Sequence, residues 1–175
     1  MAVRKILHYP DPVLMEKSVT VTEFNEELRQ LAEDMAETMY DAPGVGLAAP
    51  QIGVLKRLVV IDCSSNEEPN DLIVAVNPEI IASEGESVEE EGCLSVPGFW
   101  ASVKRAEKVT LRYQDVVGNT HERTSDGLLG VCMQHELDHL EGILFVDRLS
   151  PLKRSMFKKK YMKMLKEREQ NAAEA

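Results

Sequence analysis

The segment His135-Glu136-Leu137-Asp138-His139 sets two imidazoles four positions apart, with a carboxylate beside the first. On a helix, residues four apart share a face, with Cβ atoms about 5–6 Å from one another. His135 and His139 are therefore spaced to hold one divalent ion between them. Glu136 lies about 100° further round the same helix. That puts a carboxylate at the edge of the ion's open side, where a base for bound water is needed. Two histidines on a surface helix among scattered acids would show the same pattern. Leu128, Val131 and Cys132 precede the histidines on or near one face, which predicts that this face turns inward. A buried face carrying two histidines and a carboxylate needs a partner.

A catalytic metal site also needs a third protein ligand and an open position. Downstream of His139, Glu141 is too close in sequence, and the remaining acids sit in a basic tail. Upstream, Glu91-Gly92-Cys93-Leu94-Ser95 offers Cys93, between a glycine and an apolar residue. Thiolate is a strong ligand for Fe(II) or Zn(II). A Cys-His-His set would leave a fourth position for water. The three cysteines are Cys63, Cys93 and Cys132, an odd number in a chain long enough to need no staples, so a disulfide framework is not expected. Cys132 reads as a small buried hydrophobe and Cys63 as structural, at the end of a buried strand. His8 and His121 lie in polar settings that suggest surface roles.

The elements that must position these residues can be read from periodicity. Phe24, Leu28, Leu31, Met35 and Met39 recur at helical spacing, and Pro43-Gly44 stops that helix. Gly44 to Gly53 reads as a loop of small residues that lets backbone approach something closely. Arg57 to Asp62 is a buried strand, and Leu72 to Asn77 a second, ended by Pro78. Ile80 to Glu86 suggests a third, with a turn at Gly85. Lys108 to Tyr113 alternates, and Gly118-Asn119 turns it back into Thr120 to Arg123. The pattern is helical again from about Asp126 to Leu140, and a last helix runs from about Pro151 to Gln170. The expected fold class is α+β, with mostly antiparallel strands packed around a central metal-binding helix and a C-terminal helix. Residues 1–150 are expected to form a single catalytic domain, with 151–175 its basic C-terminal helix and tail.

Bulk properties narrow the class. A chain of 175 residues with 43% hydrophobic content fits one globular domain. No apolar run approaches the roughly 18 residues of a membrane span. The first residues resemble neither a secretory signal nor a transit peptide, so a bacterial-type cytoplasm is expected. The net charge of −10 conceals an asymmetry: residues 151–175 carry eight basic and three acidic side chains, +5, leaving −15 on the rest. A basic tail on an acidic body points to an anionic partner. A solvated helix end is the plainer alternative.

Three segments together resemble the peptide deformylases. They are Gly44-Val45-Gly46-Leu47-Ala48-Ala49-Pro50-Gln51, Glu91-Gly92-Cys93-Leu94-Ser95 and Gln134-His135-Glu136-Leu137-Asp138-His139. Their order and spacing agree with that family, and the resemblance spans nearly the whole chain. It implies that Cys93, His135 and His139 bind one divalent metal ion, natively Fe(II), with zinc, nickel or cobalt as substitutes. It implies a nascent formylmethionyl polypeptide as substrate, formate and a free amino terminus as products, and Glu136 as the general base and acid. It further implies that the Gln51 side-chain amide and the Leu94 backbone N–H donate to the oxyanion. Val45, Leu128, Val131 and Cys132 become candidates for the methionine pocket, although core packing alone would also explain them. Gly46 and Gly92 would permit close backbone contact with substrate and a tight ligand turn. The resemblance links the basic helix to the ribosome near its exit tunnel, in a monomer that binds neither DNA nor membrane. Trp100 departs from the polar or charged residues that many relatives carry there. Two other readings stay open on the residues alone: a protease of ordinary peptide bonds, and a metal-stabilised binding module without activity.

Overall fold

A computed structural model describes residues 2–65, 68 and 70–174. Helix α1 spans Glu26–Asp41, and the Asn25 side chain caps it by accepting from the Leu28 N–H at 3.0 Å. Strand β1, Gly46–Ala48, leads into a 3-10 turn, Ala49–Ile52. Strands β2, Leu58–Ile61, and β3, Ile73–Glu84, follow. The hairpin β4, Ser87–Cys93, and β5, Val96–Arg105, comes next. Strands β6, Lys108–Gln114, and β7, Thr120–Ser125, precede helix α2, Gly127–Leu140, and helix α3, Pro151–Glu174.

Five strands form one antiparallel sheet in the order β1-β2-β3-β6-β7, while β4 and β5 form a separate two-stranded sheet. The larger sheet is covered on both faces. Leu58 and Val60 point toward α1, into a layer with Leu28, Leu31, Met35 and Met39. Val59 and Ile61 point the other way, into a layer with Cys132, Met133 and Leu140 of α2. This explains why β2 reads as an unbroken apolar run: successive side chains face opposite layers, and both layers are dry. A third apolar layer joins the hairpin to the C-terminal region through Val96, Val103, Phe145, Phe157 and Tyr161.

Three features depart from the sequence reading. Pro78 does not end a strand: β3 runs through it to Glu84, so the second and third expected strands are one. The ladder slips there, because Val76 pairs with Gln114 and Glu79 with Arg112, which leaves Pro78 in a bulge that asks no N–H of it. Asn77 enters the left-handed region at φ 50°, and its side-chain amide bonds Val21 and Gln114. The small-residue loop contains a strand, β1, at the edge of the large sheet. The β4–β5 hairpin carries the cysteine motif, which the sequence left without secondary structure.

The extended N-terminal segment ties the parts together. The Leu7 N–H donates to the Gln51 carbonyl and the Tyr9 N–H to the Ser95 carbonyl, both at 2.7 Å. It thus stitches the glycine-rich segment to the hairpin turn. Among the described residues no helix is long and apolar enough to cross a membrane.

Candidate metal centre

Cys93 is the last residue of β4 and pairs with Val96, so only Leu94 and Ser95 separate it from the returning strand. That tight turn aims the thiol at α2. His135 and His139 project from α2 on one face, with ring centroids 5.1 Å apart. The Cys93 Sγ, His135 and His139 ligand atoms all lie within 4.8 Å of one another. Cys93 Sγ and His139 Nε2 are 3.4 Å apart. A tetrahedral ion with N and S ligands at about 2.1–2.3 Å separates its donors by roughly 3.6 Å. The donor set therefore fits a divalent ion in both chemistry and spacing. Burial, followed by His135 and Arg105, holds His139 well below the usual histidine range, which keeps it in the neutral form a ligand needs.

Beneath the three donors lies a buried ionic network that sequence reading missed. Arg105, only 2% exposed at its side chain, grips Glu91 through Nε and Nη2 at 2.8 and 2.9 Å. Its Nη1 donates to Asp138 Oδ2 at 2.7 Å, and Arg148 holds the same carboxylate at 2.6 and 2.7 Å. Glu91 also meets His135 Nδ1 at 2.9 Å. Burial works to raise the Glu91 pKa, but the hydrogen bonds from Arg105 and His135 win and bring it to about 2. Glu91 is therefore an acceptor and His135 Nδ1 the donor, which turns the Nε2 edge of the ring toward the metal side. From the sequence alone Arg105 reads as a structural or substrate-edge charge, with no partner named. An Arg fourteen residues after Glu91 points to nothing until the hairpin pairs their strands. Gln134 adds a clamp, bonding the Ala106 N–H and carbonyl at 3.0 and 2.9 Å and so fastening α2 to the end of β5.

Glu136 is 4% exposed, and its Oε1 is buried without a hydrogen-bond partner. Burial pushes its pKa up to about 7, against the pull of His135 and Arg105. An orphaned carboxylate oxygen beside the ligand donors is a place for a polar guest. Gly46 lies directly against it: a Cβ built there would meet Glu136 Oε2 at 2.5 Å. Gln51 is 1% exposed; its Oε1 accepts from the Ala48 N–H at 2.9 Å, which turns Nε2 toward Ser95 Oγ at 3.1 Å and Cys93 Sγ at 3.6 Å.

All of this opens into a cleft of about 1140 Å³. Val45, Gly46, Gln51, Cys93, Leu94, Leu128, Val131, Cys132, His135 and Glu136 line it, while His139 is 1% exposed behind them. The inward-face argument holds for Val131 and Cys132, each 8% exposed, but not for Leu128, which is 58% exposed at the cleft mouth one turn earlier. Val45 is also open, at 42%. His8 lines the cleft too, where the sequence suggested an ordinary surface residue, because the N-terminal segment crosses beside the hairpin. His121 is far from it, bonded to Asp115 at 2.7 Å and stacked on Tyr113. Gly92 lies under the Trp100 ring, whose nearest carbon would be 2.6 Å from an added Cβ. Two free strand edges face each other across the cleft: β1 at the border of the large sheet and β4 at the border of the small one.

Known proteins resemble this chain along most of its length. Residues 3–155 match the family model described as polypeptide deformylase. A peptide deformylase of Acidobacterium capsulatum is 54% identical over 164 residues, covering 94% of this chain and 96% of its own. One from Thermodesulfovibrio yellowstonii is 53% identical over 161 residues, covering 92% and 98%. A crystal structure of a peptide deformylase from Legionella pneumophila superposes with a TM-score of 0.88 at 53% identity, covering 95% and 98%. Another, from Ehrlichia chaffeensis in complex with actinonin, gives 0.87 at 36% identity, covering 94% and 98%. With a family match across most of its length and relatives above half identity, the chain belongs to the polypeptide deformylases, a family of metal-dependent hydrolases.

Proposed function

We propose that the chain removes the N-formyl group from the formylmethionine that begins newly made polypeptides, releasing formate. The observation that carries this is the convergence of Cys93, His135 and His139 donor atoms within 4.8 Å, with the unpartnered Glu136 carboxylate alongside. Those three residues would hold one divalent ion, Fe(II) in the cell, with zinc, nickel or cobalt as substitutes. When bound, the ion supplies Lewis acidity, which lowers the pKa of a water in its open position.

The rest is work for this chain's own groups. Glu136 accepts the proton of the attacking water and returns it to the leaving amine. Charge gathers on the formyl oxygen, and two donors meet it: the Gln51 amide, already turned inward by the Ala48 N–H, and the Leu94 backbone N–H at the hairpin turn. Arg105 and Glu91 keep His135 in the tautomer and orientation a ligand requires. The peptide lies extended between the free edges of β1 and β4, where it adds main-chain hydrogen bonds to either sheet. Val45, Gly46, Leu128, Val131 and Cys132 then enclose the methionine side chain.

The reading extends to a cytoplasmic monomer with residues 1–150 as the catalytic domain. Its basic C-terminal helix would meet ribosomal RNA near the exit tunnel. Lys158, Lys159, Lys160 and Lys163 are exposed on that helix, while Phe157 and Tyr161 are buried. The core reaction is tested by giving the metal-loaded protein a formylmethionyl peptide and its unformylated twin. Formate from the first, with the twin intact, is expected. Cleavage of the twin would point to a peptidase, and inertness on both with metal bound would point to a binding module.

A further inference from the structure

The two histidines of the metal centre are held in different ways. His135 Nδ1 is bonded to Glu91 at 2.9 Å, and the Phe145 ring stacks on the imidazole with centroids 6.1 Å apart. His139 has no such hold. Its Nδ1 is buried with no hydrogen-bond partner among the described residues, while its Nε2 faces Cys93 Sγ. A ligand histidine is ordinarily oriented by a bond from its other ring nitrogen. The His139 ring therefore takes its place from the backbone that carries it, the last turn of α2, which ends at Leu140. Its neighbour Asp138 fastens that turn. The Asp138 carbonyl accepts from the Glu141 and Ile143 N–H groups at 2.9 Å each, where the chain leaves the helix. The Asp138 carboxylate, 11% exposed, meets two guanidiniums. Its Oδ2 accepts from Arg105 Nη1 at 2.7 Å and from Arg148 Nε at 2.6 Å, and its Oδ1 from Arg148 Nη2 at 2.7 Å. Arg148 thus bonds both oxygens, in the planar fork that suits a carboxylate. It comes from the 3-10 turn Phe145–Arg148, the same turn that sets Phe145 on His135. Its charge also falls beside the C-terminal end of α2, where the helix dipole favours a cation.

We propose that Arg148 is a positioning residue for the metal centre. Through Asp138 it pins the last turn of α2, and with it the His139 ring, so that losing its guanidinium weakens metal binding although all three donors remain. This rests on the reading of Cys93, His135 and His139 as the metal ligands. Arg148 is not among the residues that line the substrate cleft; it borders instead a second cavity of about 420 Å³, together with Arg105 and Asp138. Its side chain is 42% exposed, so exchanging it leaves no buried void. Arg105 still holds Asp138 after that exchange, so the turn is loosened rather than released. The expected effect is on ligand geometry, not on folding. Removing a support of this kind costs about 10- to 100-fold in metal affinity.

The test uses the full chain, stripped of metal and reloaded with zinc or cobalt(II). Zinc affinity is read by competition with a chromophoric chelator, and the ligand field by the visible absorption of the cobalt form. In Arg148→Met, which keeps the stem and loses the fork, the zinc dissociation constant should rise about 10- to 100-fold. The cobalt d–d bands should change shape while the thiolate-to-cobalt band persists, because Cys93 stands on β4. Arg148→Lys, which keeps the charge without the fork, should fall between Arg148→Met and the parent. In an Asp138→Asn background, Arg148→Met should cost little more, because its charged partner is already gone. A purely structural role would lower the melting temperature of the metal-free protein and leave zinc affinity and the cobalt spectrum as they were. That result, or an undiminished loss in the Asp138→Asn background, would overturn the proposal. If Arg148→Met does not fold, the same readouts on Arg148→Lys decide. A parent that binds no zinc would instead defeat the metal reading itself, which keeps the two failures apart.

Discussion

Gly46→Ala should disable Glu136 without touching the metal donors. Gly46 is not among the residues at positive φ, so alanine can adopt its backbone, and β1 pairing with Ile61 is undisturbed. The added methyl would fall 2.5 Å from Glu136 Oε2, 2.9 Å from Cδ and 3.0 Å from Cγ. Ordinary contact begins at 3.4 Å, so the carboxylate must retreat by about 0.9 Å. It is 4% exposed, with little free space in which to settle. Misplacing a reacting group by 1 Å costs about 100-fold in rate, or about 2.7 kcal/mol of barrier. The variant's kcat on a formylmethionyl peptide should therefore drop about 100-fold. Its metal content should stay near that of the parent. Adding Gly46→Ala to Glu136→Gln should cost little more, because the base is already gone. A kcat within a few-fold of the parent, with metal retained, would refute the reasoning.

Glu136→Gln should keep its metal, measured by elemental analysis, and lose nearly all turnover; a variant as active as the parent would remove Glu136 from the base role. Arg105→Ala leaves the buried Glu91 carboxylate without its guanidinium and Asp138 with Arg148 alone, and should cost about 3–5 kcal/mol in urea unfolding. Asp34 titrates below its ordinary 3.8, because hydrogen bonds from Arg4, Gln30 and the Ala2 N–H outweigh the burial that would raise it. The unfolded chain then binds more protons than the folded one just below pH 3.8. The Asp34 contribution is full above that pH and fades as pH falls through the lower folded value. Asp34→Asn should flatten that acid limb of the stability curve. Neutralising Lys158, Lys159, Lys160 and Lys163 to Gln should weaken ribosome binding in a salt-sensitive way and spare small-peptide turnover. Unchanged affinity in sedimentation would count against the helix. Truncation after Leu149 is a poorer test, because it removes Phe157 and Tyr161 from the core.

How much of the site the sequence displayed depends on how local each relation is. The His135–His139 pair is legible because a helix fixes the geometry of residues four apart. Strand β6 and helices α1 and α2 follow from periodicity in the same way, β2 from its unbroken apolar run and α3 from Pro151 at its start. The β4–β5 hairpin did not, since Glu89-Glu90-Glu91-Gly92 has neither alternation nor strong strand propensity. Its pairing is held by Arg105 beneath it and by the aromatic layer of Phe99, Phe145 and Phe157. Pro78 misled because proline forbids a ladder bond, and only the partner strand reveals that a bulge asks for none.

Residue types and order alone therefore supplied a two-histidine helix, a nearby carboxylate, a cysteine of the right chemistry, and the family those motifs resemble. Tertiary structure decided which nitrogen of His135 faces Glu91 and Arg105 and which faces the metal side. It also decided why position 46 has no side chain, and that Leu128 stands open while Cys132 is buried in the layer between the sheet and α2. The physical reason is range. Backbone periodicity acts over a few residues and can be read in one dimension. Ion pairs and steric fit act over a few ångströms between segments far apart in the chain, and exist only once the sheet and α2 have packed.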